Sequence, residues 1–152
     1  MGDGANHTPE MLKTHDNLPL FAELSAAIHE HGAIASAELT HGGMHGKAEY
    51  NREIMPMGPV EAVSIWDGKT YRGLTKDEIY HIVDQYADAA SYMFLAGFDS
   101  VHLHFGHGWM PAQFLSPIIS TRTDEFGGSF ENRMRFPLMI AKAVRERVGK
   151  NR

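Results

Sequence analysis

Apolar and polar positions follow two rhythms along the chain, and these divide it into elements. From Asn17 to about Glu30 (NLPLFAELSAAIHE), Leu20, Leu24 and Ile28 recur four apart with Phe21 and Ala27 beside them. That spacing predicts a helix with one buried stripe. Asn17 or Asp16 is placed to cap it, and Gly32 to end it in a left-handed turn. AIASAELT follows, short, apolar and bounded by glycines, which predicts a buried strand. The longest periodic segment is LTKDEIYHIVDQYADAASYMFLAG. Thr75 and Glu78 form a capping box there. Ile79, Ile82, Val83, Tyr86, Ala90 and Met93 make one helical face, and Gly97 stops it. FDSVHLHF reads as a second strand. After an irregular stretch, a last helix from Ser129 onward aligns Leu138, Ala141, Val144 and Val148, with Pro137 predicting a kink if it starts as early as Glu131. Two segments have no period: the first sixteen residues, and Gly42 to Gly73 with Pro56, Pro59 and six glycines. The second predicts a long loop of the kind that rims functional sites.

The order helix, strand, helix, strand, helix implies right-handed βαβ units, a parallel sheet and the α/β class. Two strands are too few for a parallel sheet covered on both faces, and a complete (β/α)8 barrel needs about 250 residues. The chain therefore reads as part of a TIM barrel, covering about two strands and three helices. On this reading residues 1–152 are a partial domain whose flanking strands are missing.

Composition narrows the function classes. The formal net charge of −5 gives no basic surface for nucleic acid or acidic lipid. No apolar run approaches the roughly 20 residues that cross a bilayer, and the polar N-terminus lacks a signal-peptide centre. A cytoplasmic location is expected. The absence of cysteine excludes disulfides, thiol nucleophiles, and Cys-ligated zinc or iron–sulfur clusters within this chain. The nine methionines read as core filler, whereas ten histidines call for an account.

Barrel chemistry sits where strands hand over to loops at their C-terminal ends. Those places are SAELTHGGMHG and HLHFGHGW. Alternation puts Glu38 and Thr40 on one face of the first strand, and His102 and His104 on one face of the second. With the apolar sets packed on helices, Glu38, His102 and His104 point into the barrel, where they need polar partners. His41, His45, His104 and His107 are numerous enough for a metal, but their spacing matches no zinc motif, and no metal is expected. Glycines 42, 43, 106 and 108 mark tight turns or close backbone approach, not a phosphate loop.

The stretch GFDSVHLHFGHGWMPAQFLSPIISTRTDEFGGSFENRMRF closely resembles the signature of the old yellow enzyme family. That family comprises flavin-dependent ene-reductases, 2,4-dienoyl-CoA reductases and trimethylamine dehydrogenase. HEHGAIASAELTHGG resembles its third barrel strand with the preceding helix. Glu38 stands where the family most often has Gln, and Met44 where it has Arg. The Glu-Leu pair, the Gly-Gly pair and His45 resemble the trimethylamine-dehydrogenase side. The resemblance implies FMN at the mouth of the barrel, NAD(P)H as reductant and a small-molecule substrate. It allows an iron–sulfur cluster in a larger parent protein, not in this chain. Glu38 would contact the flavin pyrimidine edge, and His104 with His107 would donate two hydrogen bonds to a substrate carbonyl. Trp109 falls where the family commonly has a proton-donating Tyr. Indole has no acidic hydroxyl, so Trp109 would instead present an apolar wall to substrate. Arg122 and Asp124 would pair to hold the following loop. The whole parent would transfer hydride between NAD(P)H, flavin and an unsaturated carbonyl or amine-type substrate, and this chain alone would bind FMN weakly or not at all. The rival expectation is a non-catalytic half-barrel that homo-oligomerises or pairs with a complementary barrel fragment.

Overall fold

The computed structural model describes residues 17–46, 55–64 and 68–149. The loop expected over the first sixteen residues, and Asp16 as a cap, lie outside them. Helix α1 spans Leu18–Glu30, with Asn17 at its N-cap position but making no side-chain capping bond. It ends as expected. Gly32 has φ 72°, its N–H donates to the His29 carbonyl at 2.8 Å, and Ala33 N–H reaches Ile28 at 3.4 Å. This is the paired C-terminal closure that a left-handed glycine permits.

The buried face of α1 keeps Phe21 and Ile28 of the expected stripe but not its two leucines. Leu18, Phe21 and Ile28 pack on the core and Ser25 is buried, while Leu20 and Leu24 stay 62% and 52% exposed. A small polar contact sets this rotation. Ser25 Oγ donates to the Ala96 carbonyl at 2.6 Å, and a Cβ on Gly97 would stand 2.9 Å from that Oγ. The two elements thus meet at their smallest residues, and the leucine stripe is turned outward.

Strands β1 (Ser36–Leu39) and, later in the chain, β5 (Ser100–Leu103) form the central parallel pair, with Glu38 opposite His102. Pairing continues past both ends: Asp99 N–H donates to the Ala35 carbonyl and His104 N–H to that of Leu39, each at 2.9 Å. Asp99 Oδ2 accepts from Ala35 N–H at 2.8 Å and lies 2.7 Å from His29 Nε2, so one carboxylate ties the start of the sheet to α1. Burial alternates as predicted along β1, and in β5 only His102 is exposed. Ala35, Ala37 and Leu39 face the core, and Ser36, Glu38 and His102 lie on the open face.

Helix α2 (Lys76–Leu95) carries the expected capping box of Thr75 and Glu78. Its whole predicted face is buried. Glu78 also takes both Arg72 nitrogens, at 2.6 and 2.9 Å. The hydrogen-bonded Arg72 guanidinium, with further bonds from Thr75, holds its carboxyl down at about 2.

The long segment after β1 is not structureless. It holds three short strands, β2 (Met57–Gly58), β3 (Ala62–Val63) and β4 (Thr70–Gly73). β4 pairs parallel with β2 and antiparallel with β3. Each ladder is only two pairs long, too short to display alternation. Tyr71 is its buried anchor, seated where a Cβ on Gly58 would come within 2.9 Å of its ring. Arg122 fastens this small sheet to the rest. Nη1 donates to the carbonyls of Pro59 and Leu74 at 2.6 and 2.7 Å, and Nε and Nη2 engage Asp124 at 3.0 and 2.5 Å. A Cβ on Gly127 would lie 2.1 Å from the Arg122 carbonyl oxygen, so the loop closes only over glycine.

The stretch expected to be irregular contains a further helix, α3 (Met110–Leu115). The last helix, α4 (Phe130–Val148), runs through Pro137 as one element. Its buried line is Phe136, Ile140 and Val144, while Leu138 is 57% exposed and Ala141 is exposed too. Phe136 against Phe114, with ring centroids 4.5 Å apart, sets that rotation. Among the described residues no helix is long and apolar enough to cross a membrane.

Candidate active site

β1 and β5 run parallel and in register, so the loops that follow them emerge at one end of the sheet. The first loop bends into a 3-10 turn, Gly43–His45. The second reverses at His107 and Gly108, with φ 54° and 77°. A left-handed histidine is an uncommon conformation. It brings the His107 ring back over His104, with Nδ1 of His107 and Nε2 of His104 3.1 Å apart. Trp109 follows at the N-cap of α3. Its indole meets the rings of His104 and His45 edge to face, at centroid distances of 6.4 and 5.8 Å. Three of the residues singled out in the sequence, His104, His107 and Trp109, therefore stand together, and His45 joins them from the other strand end. Glu38 lies deeper, on the open face of the sheet beside His102.

The histidine pair limits its own chemistry. A hydrogen bond between two neutral imidazoles uses one N–H and one lone pair, so either tautomer leaves a single N–H for a ligand. Two outward donors, the number expected from sequence, require a further proton on the pair or a turn of one ring.

His41 is not part of this group. It is buried, its Nδ1 accepts from Gly43 N–H at 3.0 Å, and its carbonyl accepts from Met110 N–H at 3.0 Å. Burial lowers its pKa to about 4, which leaves it neutral with the proton on Nε2. Among the described residues no three His, Asp or Glu side chains are arranged to hold a metal ion.

Sequence reasoning missed Gln113. Its side-chain amide is wholly buried and joins the two site loops. Nε2 donates to the Gly42 carbonyl at 3.2 Å and to that of Gly108 at 2.8 Å, and Oε1 accepts from Met44 N–H at 3.1 Å. A Cβ on Gly43 would fall 2.3 Å from that oxygen, so Gly43 makes the room that the amide fills. A lone amide in the apolar run MPAQFL was the available signal.

The family model of the NADH:flavin oxidoreductase / NADH oxidase family matches residues 2–152. Among curated relatives, the NADH oxidase of Thermoanaerobacter brockii is 37% identical over 131 residues, 86% of this chain and 20% of that protein. Among solved structures, morphinone reductase in complex with tetrahydroNAD superposes with a TM-score of 0.85 at 32% identity, over 91% of this chain and 42% of that one. Histamine dehydrogenase from Rhizobium sp. 4-9 gives 0.79 at 33% identity, over 88% of this chain and 21% of that one. The chain spans between a fifth and about a third of the length of the first curated relatives it matches.

Proposed function

Because the chain belongs to the NADH:flavin oxidoreductase / NADH oxidase family, we propose that its strand-end mouth is one wall of an FMN site serving hydride transfer between NAD(P)H and an unsaturated carbonyl or amine-type substrate. The observation that carries this reading is the grouping of His104, His107 and Trp109 at the end of β5, above the open sheet face that presents Glu38.

The residues suit the cofactor. The exposed Glu38 carboxylate is an acceptor for the ring N–H of a flavin pyrimidine. Set beside the ring, its negative charge disfavours the reduced, anionic form and so lowers the potential. When bound, the flavin supplies the two-electron chemistry. The chain's own residues hold and exclude. The imidazole pair offers its outward N–H to a substrate oxygen, aimed where negative charge grows as hydride arrives. Trp109 gives the substrate a flat apolar wall that sheds water. Gln113 and His41 fix the two loops from below, so that this geometry is present before substrate binds.

Glu38→Ala is expected to weaken FMN binding by about tenfold, the loss of one charge-assisted hydrogen bond. Quenching of flavin fluorescence by the chain at rising concentration measures it. Equal affinities for the parent and the variant would remove Glu38 from the site.

A further inference from the structure

Helices α1 and α4 stand at the two ends of the helical layer. α2 packs on both, and they do not pack on each other to any comparable extent. Each turns apolar residues outward. On α1, Leu20 and Leu24 lie one turn apart, more than half exposed. On α4, Leu138 is as exposed, with exposed Ala141 three residues on. Single exposed leucines are ordinary, but apolar lines on both ends of one layer are surfaces that seat a partner.

The charges beside these lines have opposite sign. α1 carries Glu23 and Glu30 and no lysine or arginine. Both glutamates are exposed. α4 carries five basic residues against Glu131 and Glu146. Of these, Arg135 and Lys142 are exposed and adjoin Leu138. Arg135 donates to two neutral oxygens, the Glu125 carbonyl at 2.8 Å and Asn132 Oδ1 at 3.1 Å, so neither neutralises its charge. Lys142 meets only Glu146, at 3.8 Å and largely in solvent, a pair of small worth. The spacing agrees as well as the sign. Glu23 and Glu30 are seven residues apart, and so are Arg135 and Lys142. Seven residues are two turns, about 10 Å along a helix. The acidic pair of one end thus matches the basic pair of the other.

We propose that the α1 side of one chain docks on the α4 side of a second copy, with Leu20 and Leu24 against Leu138 and Ala141, and Glu23 and Glu30 against Arg135 and Lys142. The contact joins two different faces and is therefore heterologous. A second copy is the partner because every chain carries both halves of the seam. The seam uses the sides of helices, whereas the mouth lies at the strand ends, so this proposal and the flavin reading fail independently.

The test is sedimentation equilibrium of the 152-residue chain over a range of concentrations. The mass is expected to rise above the 16.9 kDa of one chain as concentration increases. Glu23→Lys with Glu30→Lys should weaken association by about tenfold, and so should Arg135→Glu with Lys142→Glu. Mixed in equal amounts, these two variants should associate again, because the reversed α1 of one meets the reversed α4 of the other. Leu24→Gln should weaken association without any change of charge. A parent chain that keeps the mass of one chain at every concentration would overturn the proposal. So would charge variants that associate like the parent, or that fail to recover on mixing. Where the Arg135 variant does not fold, Lys142→Glu alone takes its place in the same comparison.

Discussion

Gln113→Leu is expected to lower the unfolding free energy by about 3–6 kcal/mol. Leucine approximates the volume of the side chain but satisfies none of its partners. The buried Gly42 carbonyl and the partly buried Met44 N–H and Gly108 carbonyl would each lose their partner, at about 1–2 kcal/mol each. Against the roughly 5–15 kcal/mol of a typical domain, that is enough to separate the two site loops or to unfold the chain. Glutamate does not rescue it. The carboxylate keeps an acceptor for Met44 but faces two carbonyl oxygens with no hydrogen to donate. Urea denaturation followed by far-UV circular dichroism measures the change, and a leucine variant within 1 kcal/mol of the parent would refute the latch.

The second large effect is on acid stability. His41 has an ordinary value of 6.5 and is held at about 4 in the folded chain by burial. Its folded pKa is depressed, so between these values the unfolded chain binds more protons than the folded one. The contribution is complete above 6.5 and is lost as pH falls toward 4. The carboxylates with lowered values, Glu78, Asp99, Asp124, Glu125 and Glu131, have ordinary values of 4.5 or 3.8. Their losses set in near the acid end of that range and are common to the parent and to a His41 variant, so the difference between the two chains isolates His41. Between pH 6.5 and 4.5 His41 is therefore expected to cost about 2–3 kcal/mol. His41→Asn keeps an acceptor for Gly43 N–H without a titrating ring and should flatten this part of the curve. Urea midpoints at the two pH values decide it, and an equal slope in both chains would contradict the assignment.

The elements most legible in the sequence are those closed by local chemistry. The capping box at Thr75 and Glu78 and the left-handed glycines 32 and 97 bound their helices where expected. Alternation along the two strands placed Glu38 and His102 on one face. What depended on contacts distant in sequence was not legible. α1 and α4 each carry apolar residues around more than one face. Ser25 against Ala96 and Phe136 against Phe114 decide which face turns inward. The small sheet escaped because each of its ladders has only two pairs. His104, His107 and Trp109 come from one short segment and were found together. His45 reaches them across about sixty residues of intervening chain, and Gln113 grips loops on both sides of that gap.

The central claim is that FMN lies against the open face and C-terminal mouth of the β1–β5 pair. Amide chemical-shift mapping of the 152-residue chain during an FMN titration tests it most directly, because it registers weak binding and locates it. The account predicts progressive, saturable shifts in fast exchange, concentrated in residues 36–45 and 100–110 and diminished in Glu38→Ala. Shifts confined to the helical faces of α1, α2 and α4, or no shifts at millimolar FMN, would contradict it.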